Sequence, residues 1–390
     1  MKNRANSPSS RAGRPRVGTA RRLRVVHLPV YAENAYQLML MDALRRQGVE
    51  AIDGGGGGTF FRTALRRWSP DVLHFHWLHP YLLSTSPARS AARATGLLLQ
   101  ILVLKGLGTR LVWTVHNLAN HDRRQQRVER FFTRLFAACC DRVIVHCPQA
   151  ARSAGAAFGI RGAARRVEVI PHGNYIGHYP NDVTPGAARD RLGVRPGELA
   201  FVFLGRVQPY KGLLDLVDAF ARLPEVGSRL FIAGRADAEQ ARALRERIER
   251  ARAGGRVTFL PERVPDGDVQ VYMKAADVVV LPFRDILSSG SLVLAMSFGR
   301  ACVAPASGCV PETLDPAGGF LYDADDPHGL SRALRTCMDA RGDLEAMGEH
   351  NRRRASRWTW DGIARRLIEI YRGTRANVVV VVSIVALVSD

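Results

Sequence analysis

The feature that most limits how this chain can fold is a recurrence of short apolar runs rich in Val, Ile and Leu, each separated from the next by a longer stretch. In the first half these runs are Leu23–Leu28, Asp71–His76, Arg110–Val115, Arg142–Val145 and Val167–Ile170. Runs apolar on both faces suit strands of a parallel sheet, covered by helices on each side. The stretches Ala35–Gln47 and Arg124–Ala138 between them carry helical spacing, so this half reads β-α-β-α. Pro171, Gly173, Pro180 and Pro185 then punctuate a polar segment that suits an interdomain linker. The pattern restarts with Leu199–Leu204, Arg229–Ala233, Val257–Leu260, Val278–Leu281 and Ala301–Ala304, separated by the helical segments Leu213–Ala221, Ala238–Ala253 and Ser291–Phe298. The expectation is an α/β chain of two Rossmann-like doubly wound domains facing each other across a cleft, where the carboxyl ends of both sheets gather a ligand. The expected boundaries are a basic arm over 1–22, a first domain over 23–180, a second over 181–356, a terminal helix over 357–375 and an apolar tail over 376–390.

Length and charge narrow the function classes. A chain of 390 residues can bury two cores, which sets aside a single small binding module. Lys and Arg number 56 against 36 Asp and Glu, a net charge of +20, so the surface favours polyanions: nucleotide diphosphates, nucleic acid or an anionic membrane. No aromatic-basic RNA motif, zinc finger or helix-turn-helix accompanies that charge, so nucleic acid is not the expected partner. The arm carries Lys2, Arg4, Arg11, Arg14, Arg16, Arg21 and Arg22 without the apolar core of a secretory signal, so a cytoplasmic protein is expected. The six cysteines form no CxxC pair and read as reduced, buried and structural. Leu97–Leu104 is too short to span a bilayer and reads as a buried helix, with a helix lying in the membrane interface as the alternative. The tail Val378–Val388 is also too short to span.

The densest chemistry follows the strand ending at Leu204. Gly205-Arg206-Val207-Gln208-Pro209-Tyr210-Lys211-Gly212 leads directly into a helix. Glycine lets a ligand approach the backbone, and two cations stand beside a helix N-terminus that is itself partly positive. Arg can fork two phosphate oxygens while Lys adds a mobile point charge. A departing nucleoside diphosphate needs that charge, because its leaving phosphate gains negative charge as the bond breaks.

GR-x4-KG at this position resembles the diphosphate clamp of the retaining glycosyltransferases of family four, which have the GT-B fold. Other pieces fall in the same order. Val169-Ile170-Pro171-His172-Gly173-Asn174 resembles the family's VIPNG linker, Ile232-Ala233-Gly234 its IxG strand end, and Val257-Thr258-Phe259-Leu260 its VxFxG strand. Ser307-Gly308-Cys309-Val310-Pro311-Glu312 is similar to GGxPE, and Trp358-Thr359-Trp360-Asp361 to the start of the helix that crosses back to the first domain. The resemblance implies catalytic roles for His116, Arg206 and Lys211. His116 lies in Trp113-Thr114-Val115-His116-Asn117, which is similar to the family's T-x-H segment. Donor contacts are expected from Gly205, Arg206, Lys211, Ser288, Ser289, Gly290, Ser291 and Glu312. The acceptor side is expected at Glu33, Asn34, Tyr36, His76, Trp77 and Asn117. His74, His76 and His79 form HxHxxH, but with no acidic or cysteine ligand evident nearby no metal is expected. No cofactor is expected either, the nucleotide-sugar being a co-substrate.

One segment departs from the family. Where many members carry Glu-x7-Glu, aligning Leu294-Ala295-Met296 on the usual EAM puts Ile286 and Leu294 at the two acid positions. What the segment keeps is Ser288-Ser289-Gly290-Ser291 at a helix start, whose hydroxyls and N–H groups can cradle an anion or a hydroxyl. The resulting expectation is transfer of a sugar from a UDP- or GDP-activated donor to a glycan or lipid-linked acceptor in surface polysaccharide synthesis, by an enzyme resting on an anionic membrane. The alternatives are a nucleotide-sugar epimerase or hydrolase of the same fold, or a non-catalytic relative that keeps only nucleotide or membrane binding.

Overall fold

A computed structural model describes residues 21–55, 63–65, 69–119, 125–160 and 166–373. The first twenty residues of the basic arm and the apolar tail lie outside this set.

Two six-stranded parallel sheets form the frame. The first contains β1 (Arg24–Leu28), β2 (Glu50–Asp53), β3 (Val72–Phe75), β4 (Arg110–Thr114), β5 (Arg142–Val145) and β6 (Val167–Val169), in spatial order β2-β1-β3-β4-β5-β6. The second contains β7 (Leu199–Leu204), β8 (Ser228–Ala233), β9 (Val257–Leu260), β10 (Val278–Val280), β11 (Ala301–Pro305) and β12 (Gly319–Tyr322), in order β12-β11-β10-β7-β8-β9. All ten expected strands are present; β2 and β12 are additional. The second sheet has the Rossmann order, whereas the first has the flavodoxin-like order, a refinement of the Rossmann expectation. In both orders the chain reverses direction across the sheet at one point, and ligands settle at the carboxyl ends there. Those points fall between β1 and β3, and between β7 and β10.

The central strands are apolar on both faces because both are covered. β7 and β10 are buried throughout within the second domain's core, packed by Leu216, Val217 and Phe220 on one helix and Leu292, Ala295 and Met296 on another. In the first domain one face of the sheet packs on Leu97, Ile101, Phe132 and Phe136. The other packs on Leu40 and Leu44 together with Ile363, Leu367 and Tyr371 of the C-terminal helix Trp360–Gly373. That helix therefore crosses back to complete the first domain's core, as the Trp358–Asp361 segment led one to expect. Its entry is fixed by Trp360, whose indole N–H donates to Asn174 O at 2.6 Å. Gly173 makes room for it, since a Cβ there would sit 2.4 Å from the Trp360 ring.

One expectation fails. Cys147 and Cys309 form a disulfide between the two domains, so only Cys139, Cys140, Cys302 and Cys337 are the buried free thiols expected of all six. The sequence gives no hint of the pair because 162 positions separate them, and only the docking of one domain on the other brings their Cα atoms to 5.7 Å. The helix expected around Leu97–Leu104 extends over Pro87–Gly106 and buries one face, while Leu99, Val103 and Leu107 remain exposed.

Candidate functional site

The loops after β7, β10 and β11 converge at the second domain's switch point, and glycines decide how closely. Gly212 (φ +68°) closes the clamp turn, and a Cβ there would lie 2.0 Å from Pro282 O in the loop after β10. Gly308 (φ +57°) brings the loop after β11 against Ile286 O at 2.3 Å on the same construction. Gly205 faces Ser291 Oγ. The clamp, the serine turn and the GCVPE loop therefore form one surface.

On that surface, among the described residues, neither Arg206 nor Lys211 has a hydrogen bond or an ion pair with a carboxylate. Arg206 is exposed. Lys211 Nζ lies 4.2 Å from the Phe283 ring centre and 5.0 Å from that of Tyr210, and burial against these rings lowers its pKa from 10.5 to about 8. A neighbouring cation, Arg284, is spent on Asp215 through contacts of 2.6 and 2.5 Å. Two cations without counter-charges beside a helix start are a site for an anion of at least two charges.

The four-residue serine turn holds the domains together as well as facing the clamp. Ser289 caps the helix Gly290–Ser297 by accepting from Leu292 N at 3.0 Å, and Ser288 Oγ donates to His116 O of the first domain at 3.3 Å. Gly290 packs against Tyr175 OH and His172 of the linker. Ile286 and Leu294, at the two acid positions of the family, pack on the second domain's core. A cavity of about 310 Å³ lies between the domains, bordered by Ser288, Ser289, His146, His172, Glu312 and Arg357. Glu312 Oε1 accepts from Gln149 N of the first domain at 3.0 Å, next to the interdomain disulfide, and its Oε2 is buried with no partner among the described residues. Glu312 thus serves the contact between domains at the cavity wall.

The first domain contributes histidines at the carboxyl ends of β1, β3, β4 and β5. His27, His76, His116 and His146 form a chain of contacts: His27 Nδ1 to His76 Nε2 at 3.1 Å, His76 Nδ1 to His116 Nε2 at 3.3 Å, and His116 Nδ1 to His146 Nε2 at 3.4 Å. His146 Nδ1 ends the chain on Ile170 O at 3.0 Å. A carbonyl only accepts, so His146 carries its proton on Nδ1. Each ring in turn must then donate from Nδ1, which leaves His27 Nε2 as a bare lone pair. That atom is buried without a partner among the described residues. Desolvation keeps the chain neutral, lowering His27 to about 3 and His146 to about 4, with His76 and His116 also held well below the usual range.

One ring nitrogen each from His27, His74 and His76 lies within 4.8 Å of the others, a grouping that could suggest a metal. The donor set argues against that use. His74 spends Nδ1 on Tyr371 OH at 2.6 Å and Nε2 on Thr114 Oγ1 at 2.7 Å, and both nitrogens of His76 lie in the chain. The His74 and His76 rings also stack at 4.4 Å and 28°, so their in-plane lone pairs run alongside each other instead of converging.

The expected acceptor-side residues divide. Trp77 stacks on His116 at 4.5 Å and 18°, beside Tyr31, and borders a small pocket with Asn117. Asn117 itself donates to Ala119 O. Glu33 is exposed and pairs at 3.2 Å with Arg263 of the second domain. Asn34 caps the helix Ala35–Arg46. Tyr36 and His76 are buried, Tyr36 packing edge-on against His76, His116 and His146 as the floor beneath the cleft, while His76 also borders the small pocket shared by Trp77, His116 and Asn117. His79 begins a separate short helix and is not in the chain. Sequence reading missed His27 and His146, each a lone histidine near a strand end; nothing in their spacing connects them.

Residues 5–173 match the glycosyl transferase 4-like domain, and residues 198–340 match the glycosyl transferases group 1 model. A GDP-mannose:glycolipid 4-beta-D-mannosyltransferase of Xanthomonas campestris is 29% identical over 65% of this chain and 68% of its own. D-inositol 3-phosphate glycosyltransferases of Segniliparus rotundus and Rhodococcus jostii are 30% and 28% identical, with 47% and 62% of their lengths covered. The fold is similar to that of sucrose-phosphate synthase from Thermosynechococcus elongatus, with a TM-score of 0.71 at 19% identity over 90% of this chain and 99% of that one. It is also similar to Anabaena HepE in complex with UDP, with a TM-score of 0.67 at 20% identity over 90% of this chain and 100% of that one. With both halves matched in order and the two-sheet frame in place, the chain belongs to the group 1 glycosyltransferases and is a glycosyltransferase of GT-B architecture.

Proposed function

We propose that the enzyme transfers a sugar from a UDP- or GDP-activated donor to a hydroxyl of a lipid-linked or growing surface glycan. Arg206 and Lys211 hold the diphosphate, and Ser291 faces it from the first turn of the helix Gly290–Ser297. The observation that carries this reading is the pair of cations left without carboxylate partners at the turn into a helix. The names of relatives point the same way: one uses GDP-mannose and a glycolipid, and a structural neighbour was solved with UDP. An acceptor carried on an anionic membrane suits the net charge of +20; among the described residues no helix is long and apolar enough to cross a membrane.

During transfer, negative charge builds on the departing diphosphate, and two cations fixed in place stabilise it without waiting for solvent to reorganise. The ring of His116 cannot serve the donor while both its nitrogens are engaged. Contacts of 3.3 and 3.4 Å are long for N–H···N bonds, so exchanging one for a sugar hydroxyl costs little. With Ile286 and Leu294 in place of acids, the anomeric outcome is set by other groups, and the named β-linkage of one relative makes inversion the reading to test.

The decisive experiment is a thermal-shift screen of UDP, GDP, ADP and TDP and their sugars. A nucleotide at about one hundred times its dissociation constant stabilises by roughly 2.7 kcal/mol. Arg206→Ala should remove most of that shift. An undiminished shift in this variant, or none with any nucleotide, would falsify the clamp. Proton NMR of the glycoside product then reads the anomer directly.

A further inference from the structure

The helix Pro87–Gly106 has an outward face with an unusual composition. Leu99, Val103 and Leu107 are 59, 50 and 67% exposed and recur every four residues, which aligns them on one stripe. From Ala94 to Leu107 the only charged residue is Lys105, and it is turned inward to Asp141 in a buried pair of 2.6 Å. A solvent-facing stripe on a surface helix ordinarily carries charge; this one carries none. The next helix, Gln126–Cys139, packs beside it and exposes Phe131, 52% accessible, flanked on its own exposed side by Arg127, Arg130 and Arg134. At its start the first helix exposes Arg89 and Arg93. An apolar strip beside arginines is complementary to one kind of surface, acyl chains beneath anionic headgroups.

We propose that this face docks the first domain on an anionic lipid bilayer, with Leu99, Val103, Leu107 and Phe131 entering the headgroup boundary and the arginines pairing with lipid phosphates. Topology gives the docking a purpose. Both helices start at the carboxyl edge of the first sheet, one following β3 and the other β4, the edge that carries His76, Trp77 and His116. The helices run from that edge toward the opposite one, so Arg89 and Arg93 stand nearest the cleft and Leu99–Leu107 at the far end. A bilayer held along the whole helix by both groups would bring a lipid-linked acceptor to the cleft without its leaving the membrane. The inference deepens the proposed function by naming the surface, and its test does not depend on catalysis.

The test is flotation of the full chain with phosphatidylglycerol-containing vesicles and with phosphatidylcholine vesicles, for the natural protein and for a Leu99→Asp, Val103→Asp variant. The basic arm is present in both, so the difference reports the helix face. The natural protein is expected to float with anionic vesicles, to release as salt rises from about 0.05 to about 0.5 M, and to bind roughly tenfold more tightly than the variant. An unchanged thermal midpoint shows that the variant folds. Equal flotation of the two proteins overturns the proposal. So does a concentration-dependent dimer that the substitutions abolish while vesicles bind neither protein. Vesicle binding without any nucleotide shift would sink the proposed nucleotide clamp and leave this inference; a nucleotide shift without vesicle binding would sink only this one.

Discussion

Lys211→Met should make the free enzyme more stable while abolishing its grip on nucleotides. The folded protein lowers the Lys211 pKa from 10.5 to about 8 through desolvation against Phe283 and Tyr210. At about 1.4 kcal/mol for each pKa unit, holding the charge there at neutral pH costs about 3 kcal/mol. The cation–ring contacts already present offset about 1 kcal/mol of what removing the charge would gain, because methionine loses them. A net gain of about 2 kcal/mol follows, a rise of several degrees in the unfolding midpoint. The sign with pH is fixed by linkage. Between about 8 and 10.5 the unfolded chain keeps a proton that the folded chain has released, so natural-protein stability rises through that window and the advantage of methionine disappears. Nucleotide binding runs the other way. The diphosphate needs the protonated amine, so affinity should weaken by up to about tenfold per pH unit above 8, until the raised pKa of the complex is passed. Scanning fluorimetry with and without UDP or GDP from pH 6.5 to 10 reads both effects. A less stable Lys211→Met, or one with an undiminished nucleotide shift, would refute the view of Lys211 as an uncompensated cation kept for its ligand.

Other consequences are quicker to state. Gly212→Ala should cost more than about 2 kcal/mol and loosen nucleotide binding, since its Cβ would meet Pro282 O at 2.0 Å in a left-handed turn; urea unfolding measures it, and a neutral result would contradict the packing of the two loops. Reduction of the Cys147–Cys309 bond, or Cys147→Ser, should lower the thermal midpoint, because the bond closes a loop through both domains and such loops contribute about 3 to 5 kcal/mol; peptide mapping without reductant first confirms the pairing. Acid should unfold the protein early. His27, His146 and His172 titrate at about 3 to 4 in the fold and near 6.5 when unfolded, so stability falls as pH drops from 6.5 toward 3, and His27→Asn should flatten that fall in a circular-dichroism titration.

Which parts of this enzyme could be read from its sequence follows from how local each physical signal is. Eight of the ten strands expected from apolar runs are buried on both faces, while β6 and β9 are sheet edges that still carry apolar runs. Of the two that escaped, both edges, Glu50–Asp53 has acids at both ends and Gly319–Tyr322 is a four-residue run opened by glycine. The clamp was legible because its glycines, cations and helix start occur within eight consecutive residues, so nothing distant had to be known. The histidine chain was not, because each ring comes from a different strand and only the order β1-β3-β4-β5 sets them side by side. His76 and His116 were singled out for the cleft, yet both spend their ring nitrogens on neighbours that the sequence could not place. The Cys147–Cys309 bond and the hold of Glu312 on Gln149 are more distant still, since they exist only once two domains with separate cores have docked. The same reasoning explains the loss of the two family acids. Ile286 and Leu294 complete the packing of a loop that Gly212 and Gly308 pull tight, so the segment keeps the shape that presents Ser288–Ser291 while giving up the carboxylates. With both positions apolar, the charge that the proposed site offers a diphosphate rests chiefly on Arg206 and Lys211 among the described residues. The site's nucleotide affinity should therefore depend on Arg206 and Lys211 more steeply than in a relative that shares the load with a ribose-binding acid.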